Sequence, residues 1–217
     1  GIFVHTGDFK IDPYPLDGVP TGVERLREIS GAEGITGLFS DSTNVEREGT
    51  SLPEKFVGEA LEEIFGQAAG RVVVAMFSSN LHRIQEAIKA AARCGRRVAL
   101  CGKSMVRNVA TAADLGYLAF PSPDILIPVE EAATLPDRAV AVLTTGSQGE
   151  PRSALMLMAL GEHKHLKVRP GDTVVLSSKF IPGNERAIAS VINRLFLAGA
   201  DVLYEKISEV HVSGHGS

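Results

Sequence analysis

Side chains that can bind a metal ion or move a proton gather near the two ends of the 217-residue sequence. Asp8 follows a short apolar stretch, and His211 and His215 follow another one close to the last residue. A carboxylate or an imidazole at the end of a rigid strand suits metal binding and acid–base chemistry. Two simpler interpretations stay open, because Thr-Gly-Asp at 6–8 is typical of a turn and a histidine-rich terminus is commonly solvated. His5, within the first apolar stretch, is expected to be structural.

The composition indicates a soluble globular protein with a sizeable core, in one large or two small domains. Of its residues, 44% are apolar and 22% are charged, which is the balance of a folded protein. No apolar run approaches the roughly 20 residues that span a bilayer, and no leader peptide opens the sequence, so we expect no membrane attachment. Cys94 and Cys101 fit no metal-ligand spacing and no disulfide framework, so we expect a reducing, cytoplasmic location. The net charge of −4 gives no global attraction to nucleic acid, so such binding requires a local groove.

Short apolar runs alternate with amphipathic helical patterns along most of the sequence. The predicted strands are residues 1–5, 37–40, 72–77, 97–101, 139–144, 173–177, 201–204 and 210–212. Helices are predicted after a capping box at Ser51–Glu54, after an Asn80 cap, and over residues 188–196 with Gly199 as the stop. This alternation, with short connections, predicts an α/β fold whose parallel sheet is covered on both faces.

Five of the predicted strands end in small polar residues. The polar segments are 40–44, 78–80, 102–104, 144–150 and 177–179. Because the carboxyl ends of parallel strands line the crevice where ligands bind, we expect the five loops to share one edge. Hydroxyls, amides and helix N-termini suit phosphate oxygens, and Arg83, Lys103 and Arg107 lie just inside the helices that follow. Any one loop can be polar merely because it caps a helix, but five together favour a phosphate-lined groove.

Seven short motifs carry a resemblance to a known family. They are His5–Lys10, Ser40–Asn44, Phe77–Asn80, Gly102–Met105, Thr145–Pro151, Ile181–Glu185 and His211–His215. In this order, and over nearly the whole chain, they resemble bacterial ribonuclease J, a family of metallo-β-lactamase nucleases with a β-CASP domain. The resemblance implies a zinc-dependent ribonuclease, both endonuclease and 5′-to-3′ exonuclease, that acts in RNA processing and decay. It also implies single-stranded, 5′-monophosphorylated RNA as the substrate, two zinc ions, and a homo-oligomeric full-length protein.

The resemblance implies roles for individual residues as well. Asp8 resembles the carboxylate that bridges the two metal ions, and Asp41 and His215 resemble the catalytic acid and histidine of the family. Histidine side chains titrate near neutral pH and can protonate a leaving 3′ oxygen, and Asp41 is expected to orient this one. RNA or phosphate contacts are expected from Ser78, Ser79, Asn80, Arg83, Ser147, Gln148, Gly149, His211 and Ser213. Of these, residues 78–80, 211 and 213 are predicted to form a pocket for the 5′-terminal phosphate.

The same resemblance predicts the domain organisation. Residues 1–50 are expected to be a segment of the metallo-β-lactamase core, 51–198 the β-CASP domain, and 199–217 a return segment into the core. The family's His-x-His-x-Asp-His metal cluster, a second-half histidine and a third β-CASP motif are missing from the sequence. Because zinc normally needs three or four protein ligands, we expect this chain, as an excerpt of a longer protein, to hold zinc weakly and to lack nuclease activity alone.

Three alternatives stay open at this point. A non-catalytic phosphate- or nucleotide-binding α/β domain accounts for the polar loops, although the sequence contains no Gly-x-Gly-x-x-Gly and no Gly-x4-Gly-Lys-Ser/Thr motif. Another β-CASP nuclease, one that matures RNA, would share the architecture, but Thr145–Pro151 and Ile181–Glu185 favour ribonuclease J. A structural insert that docks partners would present an exposed apolar patch.

Overall fold

The computed structural model describes residues 1–32, 34–46 and 48–216, and the chain forms two compact units. Unit 1 comprises Gly1–Lys55 and Val212–Ser217, and unit 2 comprises Phe56–His211. The chain therefore leaves unit 1 once, forms unit 2, and returns. The identities predicted for residues 1–50, 51–198 and 199–217 stay a prediction. Among the described residues, no helix is both long and apolar enough to cross a membrane.

Unit 1 contains a two-stranded parallel sheet. Strand β1 (Ile2–His5) pairs with β2 (Ile35–Phe39), and helix α1 (Val23–Ala32) lies between them in the chain. Parallel strands need such a crossover connection, and they end at the same edge of their sheet. The loops that carry Asp8 and Asp41 begin at that edge.

Unit 2 is built on a six-stranded, all-parallel sheet. Its strands are β3 (Val72–Ala75), β4 (Arg97–Cys101), β5 (Leu126–Ile127), β6 (Val140–Thr144), β7 (Thr173–Leu176) and β8 (Asp201–Tyr204), in the spatial order β5-β4-β6-β3-β7-β8. The chain starts near the middle, moves outward through β4 and β5, returns to place β6 beside β3, and then continues to the other side. The predicted α/β class with a parallel sheet is confirmed.

Helices connect and cover these strands. In unit 2 they are α2 (Lys55–Gln67, which begins at the unit boundary), α3 (Leu81–Arg93), α4 (Lys103–Asp114), α5 (Val129–Ala132), α6 (Ala154–Leu160) and α7 (Glu185–Leu197), with a 3-10 turn at Asp137–Ala139. Every residue of β3 and β6 is buried, because a parallel strand between helix layers has no solvent-facing side. Asn80 caps α3 by accepting from the Arg83 amide, and α7 ends just before Gly199, both as predicted.

A buried arginine holds the end of α2, and no pattern in the sequence marks it. Arg96 is 1% exposed. Its guanidinium donates to the carbonyl oxygens of Phe65, Ala68 and Gly70. Carbonyls at a helix end have no partner within the helix, so this one side chain satisfies groups that would otherwise be buried without a hydrogen bond.

Two predictions about the strands and their ends are wrong. Residues 210–212 form no strand, and the Val210 carbonyl oxygen instead accepts from the Ser177 hydroxyl (2.5 Å). The polar segment 40–44 follows β2, which belongs to the separate sheet of unit 1. Four of the five polar loops, not all five, therefore lie at the carboxyl edge of one sheet.

The predicted capping box before α2 is also wrong. The Glu54 amide donates to Asp12 Oδ2 (3.2 Å), and the helix begins one residue later at Lys55. The Ser51 hydroxyl donates elsewhere, to a carbonyl oxygen near the chain end described below. A carboxylate distant in sequence thus takes the position that the local motif predicts for Ser51.

Candidate metal and acid–base site

The ends of β1 and β2 bring two carboxylates together in unit 1. The Thr6 amide donates to the Phe39 carbonyl oxygen (3.0 Å), and the Thr6 hydroxyl accepts from the Asp41 amide (3.0 Å). These two bonds continue the strand pairing into the loops. One ligand atom each from Asp8, Asp41 and His215 lies within 4.8 Å of the others.

Asp41 and His215 are directly hydrogen-bonded. His215 Nδ1 lies 2.7 Å from Asp41 Oδ2, and the Asp41 side chain is only 7% exposed. Asp41 Oδ1 accepts from the amide (2.9 Å) and hydroxyl (2.7 Å) of Thr43. These bonds from Thr43, followed by the one from His215, hold the pKa of the Asp41 carboxyl far below its ordinary value. An ionised carboxylate can only accept, so His215 Nδ1 donates and Nε2 is the nitrogen left for proton exchange.

The backbone of His215 is held from three sides. Its carbonyl oxygen accepts from Asn44 Nδ2 (3.1 Å) and from the Ser51 hydroxyl (2.7 Å), and its amide donates to Ser213 Oγ (3.1 Å). Asn44 Nδ2 also donates to Ser213 Oγ (2.9 Å). Asn44 is 3% exposed; it lies in the Ser40–Asn44 motif, but its residue type alone does not predict this role. Ser213, predicted to bind phosphate, here accepts from Asn44 and from the His215 amide and so holds the His215 backbone.

Asp8 differs from the other two members of the cluster. It is exposed, and its carboxylate makes no hydrogen bond or ion pair with any residue that the structure describes. Oxygen and imidazole nitrogen donors suit zinc, so the donor types fit a metal. Asp41 and His215 bond to each other, however, so Asp8 is the member with both oxygens available. With Asp41 and His215 engaged in this way, one carboxylate is left for a metal, fewer than the three or four ligands that zinc normally takes.

His5 has the structural role that the sequence suggests. Its Nδ1 accepts from the Gly7 amide (3.0 Å), and its ring stacks on Phe39 with centroids 6.3 Å apart. Gly7 has φ +60°, a conformation that glycine adopts without strain. His5 thus supports the turn that presents Asp8.

In unit 2, the residues predicted to bind phosphate after β3 lie at the start of α3. The carboxamide oxygen of Asn80 accepts from the Arg83 amide (3.1 Å). The carbonyl oxygen and hydroxyl of Ser78 accept from Asn108 Nδ2 (3.0 and 3.1 Å). Ser79 is exposed, and its hydroxyl has no hydrogen-bond partner among the described residues. Of the three, Ser79 is therefore the best placed to meet a ligand directly.

Arg83 and His211 are brought together by the structure. Arg83 is 2% exposed, and its Nη1 lies 2.8 Å from the Ser177 carbonyl oxygen and 2.7 Å from His211 Nδ1. A guanidinium has no acceptor, so His211 Nδ1 accepts and the ring carries its proton on Nε2. Arg83 is buried within unit 2, where its visible effect is to orient His211.

The residues predicted to bind phosphate after β6 are buried. Ser147 is 1% and Gln148 4% exposed. Gln148 Nε2 donates to Ser178 Oγ (3.0 Å), and its Oε1 accepts from the Ile181 amide (3.0 Å). A Cβ on Gly149 would lie 2.4 Å from the Ala187 carbonyl oxygen. These residues join the β6 and β7 loops to α7, and their contact with RNA stays a prediction.

Comparisons with known proteins agree with these motifs. The family profile described as "Ribonuclease J, beta-CASP domain" matches residues 69–195. The whole chain is 47% identical to ribonuclease J of Thermus thermophilus, covering 37% of that protein. It is 43% identical over its whole length to ribonuclease J of Helicobacter pylori strain J99 and of Synechocystis, covering 31% and 34% of those proteins. The chain thus spans about a third of the length of the curated relatives it matches.

Proposed function

The chain belongs to the ribonuclease J family, and we propose that it is the RNA-binding β-CASP portion, with adjoining catalytic segments, of a zinc-dependent ribonuclease in RNA processing and decay. The observation that carries the proposal is the Asp41–His215 hydrogen bond beside the free Asp8 carboxylate. A carboxylate, a histidine that it orients and a metal-binding carboxylate suit phosphodiester hydrolysis.

Asp41 and His215 form the acid–base pair of this proposal. Asp41 fixes the His215 tautomer by accepting from Nδ1, and Nε2 then delivers a proton to the leaving 3′ oxygen. Asn44, Ser51 and Ser213 hold the His215 backbone, so the imidazole can be placed without reorganising its loop. A positioned general acid of this kind contributes about 10²–10⁴-fold to the rate.

Asp8 is the metal ligand of this proposal. Two zinc ions bound near it would supply an activated water and stabilise charge on the phosphate. His215 and Asp41 serve the proton transfer, which leaves the 217-residue chain with one committed ligand. We therefore expect the chain alone to bind zinc weakly and to be inactive as a nuclease.

The substrate that we propose is single-stranded RNA with a 5′-monophosphate. A terminal phosphate carries nearly two negative charges and three acceptor oxygens. Ser79 offers a hydroxyl, Ser78 and Asn80 shape the same loop, and His211 carries its Nε2 proton as a donor. We also propose that the full-length protein cleaves RNA both internally and from the 5′ end, forms homo-oligomers and resides in the cytoplasm.

Two substitutions in the full-length protein test the assignment. Asp8→Asn should lower both metal content and rate, because it removes the free carboxylate, and it should leave the thermal stability of the metal-free protein unchanged, because that carboxylate has no partner among the described residues. His215→Ala should keep the metal and lower single-turnover cleavage by about 10²–10⁴-fold. Elemental analysis and cleavage assays on the same preparations separate the two effects. Loss of metal in His215→Ala would make His215 a ligand and overturn its proposed role.

A further inference from the structure

A cationic cavity lies at the carboxyl edge of the unit 2 sheet, between the ends of β4 and β6. It has a volume of about 730 Å³. Three basic residues line it, Lys103, Arg107 and Arg152, and no aspartate or glutamate of the described chain does. The protein as a whole carries a net charge of −4. The cavity is therefore positively charged, although the protein as a whole is negative.

The three cations of the cavity are not engaged by the protein. All three are exposed, and none forms an ion pair or side-chain hydrogen bond with another described residue. By contrast, several basic residues elsewhere on the surface are paired with acids, as in Arg93–Glu62 (2.7 Å) and Arg97–Glu131 (2.6 Å). The cavity cations therefore keep their full capacity for an anionic ligand.

The neutral lining of the cavity also suits an anion. Helix α4, of 12 residues, begins there at Lys103, and no side chain caps its N-terminus. Its first amides thus have no partner within the helix, and the hydroxyls of Ser104 and Thr145 line the same cavity. Gly102 has φ +103°, and a Cβ there would lie 2.6 Å from Thr145 Oγ1. Glycine therefore allows the β4 turn to approach the β6 loop this closely.

We propose that this cavity is a phosphate-binding subsite that holds a backbone phosphate of the RNA strand, at residues distinct from Asp8, Asp41 and His215 and from the Ser78–His211 region. Two arginines and a lysine provide the charge, and the amides and hydroxyls provide short-range donors to phosphate oxygens. The nature of the ligand rests on the proposed nuclease function, whereas the preference for a phosphate rests on the cavity alone.

Binding of a short 5′-hydroxyl, single-stranded RNA to the full-length protein, with the metal chelated to prevent cleavage, tests the proposal. The 5′-hydroxyl excludes any contribution from a terminal phosphate. The test variant is Arg107→Gln with Arg152→Gln, and the control is Arg138→Gln with Arg194→Gln, which removes the same charge from exposed positions outside the cavity.

The slope of log affinity against log salt is the readout. Each phosphate contact to a single strand contributes about 0.7 to that slope, and the cavity holds one phosphate, so the test variant should lose about 0.7. Between about 50 and 200 mM salt, the wild type should then lose roughly 2.6-fold more affinity than the test variant. Lysine at both positions should restore most of the slope. An unchanged slope, or an equal loss in the control variant, would overturn the proposal.

Equilibrium dialysis with AMP and with inorganic phosphate distinguishes the sources of phosphate. Loss of AMP binding in the test variant, with an unchanged RNA slope, would assign the cavity to a free nucleotide and overturn the RNA assignment. A wild-type protein that neither binds nor cleaves RNA would refute the proposed nuclease function. Loss of AMP or phosphate binding in the test variant would, in that case, still support a phosphate site.

Discussion

Replacing Arg83 by methionine decides whether this residue contacts RNA or positions His211. The sequence assigns Arg83 to phosphate binding, whereas the structure buries it against the Ser177 carbonyl oxygen and His211 Nδ1. Methionine keeps much of the volume and removes the donors. The two interpretations predict different changes in stability and in the salt dependence of RNA binding.

The expected loss of stability follows from the groups left without a partner. An unpaired buried carbonyl costs about 1–3 kcal/mol, and the half-buried His211 nitrogen adds about 1 kcal/mol. Arg83→Met should therefore lower the free energy of unfolding of the 217-residue chain by about 2–4 kcal/mol. At about 2–4 °C per kcal/mol for a protein of this size, the melting temperature should fall by roughly 4–16 °C. Arg93→Met, on the exposed side of the same helix, is the control and should change it little.

In the full-length protein, Arg83→Met should weaken cleavage of 5′-monophosphorylated RNA because His211 loses its orienting donor. The salt slope of RNA binding should stay at the wild-type value, since a buried arginine neutralises no phosphate. A variant as stable as the wild type whose salt slope falls by about 0.7 would refute the positioning role and restore Arg83 as a phosphate contact.

Two further predictions concern unit 2. Ser78→Ala with His211→Ala in the full-length protein should slow degradation of 5′-monophosphorylated RNA while largely sparing internal cleavage, because only the degradation from the 5′ end uses a terminal phosphate. Equal loss of both activities in parallel cleavage assays would contradict the 5′-phosphate pocket. Arg96→Met should lower the free energy of unfolding by at least about 3 kcal/mol in urea titrations, since three carbonyl oxygens at the end of α2 lose their donor at about 1–3 kcal/mol each. A loss below about 1 kcal/mol would mean that water or the relaxed loop replaces the guanidinium.

The strands and helices that sequence pattern predicts best are those whose pattern has a single physical cause. β3 and β6 are continuous apolar runs because both of their faces are covered, and Asn80 marks α3 because a cap satisfies orphan amides locally. The two-residue strand β5 and the four-residue helix α5 have no such pattern. Residues 210–212 have the apolar pattern of a strand because Val210 and Val212 are buried, but the segment forms no hydrogen-bonded pair with another described strand.

In the candidate site, too, the sequence predicts some contacts and not others. Asp41 and His215, 174 positions apart, form the hydrogen bond that their motifs imply. The roles of Asn44 and Ser51 in holding the His215 backbone could not be predicted, because nothing local to either residue indicates a partner more than 160 positions away. Arg83 shows the reverse case. Its position just inside a helix suggests an exposed cation, whereas the structure buries it against the Ser177 carbonyl oxygen, just after β7.

A negative net charge and RNA binding are compatible because salt limits the reach of each charge. At physiological ionic strength the screening length is about 8 Å, so a phosphate in the cationic cavity at the start of α4 is affected mainly by the groups around it. Many basic surface residues of the described chain are neutralised locally by acids, among them Arg25, Arg27, Lys89, Arg93, Arg97 and Arg169. Lys103, Arg107 and Arg152 have no acidic partner among the described residues. Their cavity is the local groove that we propose for an RNA phosphate in a protein of negative net charge.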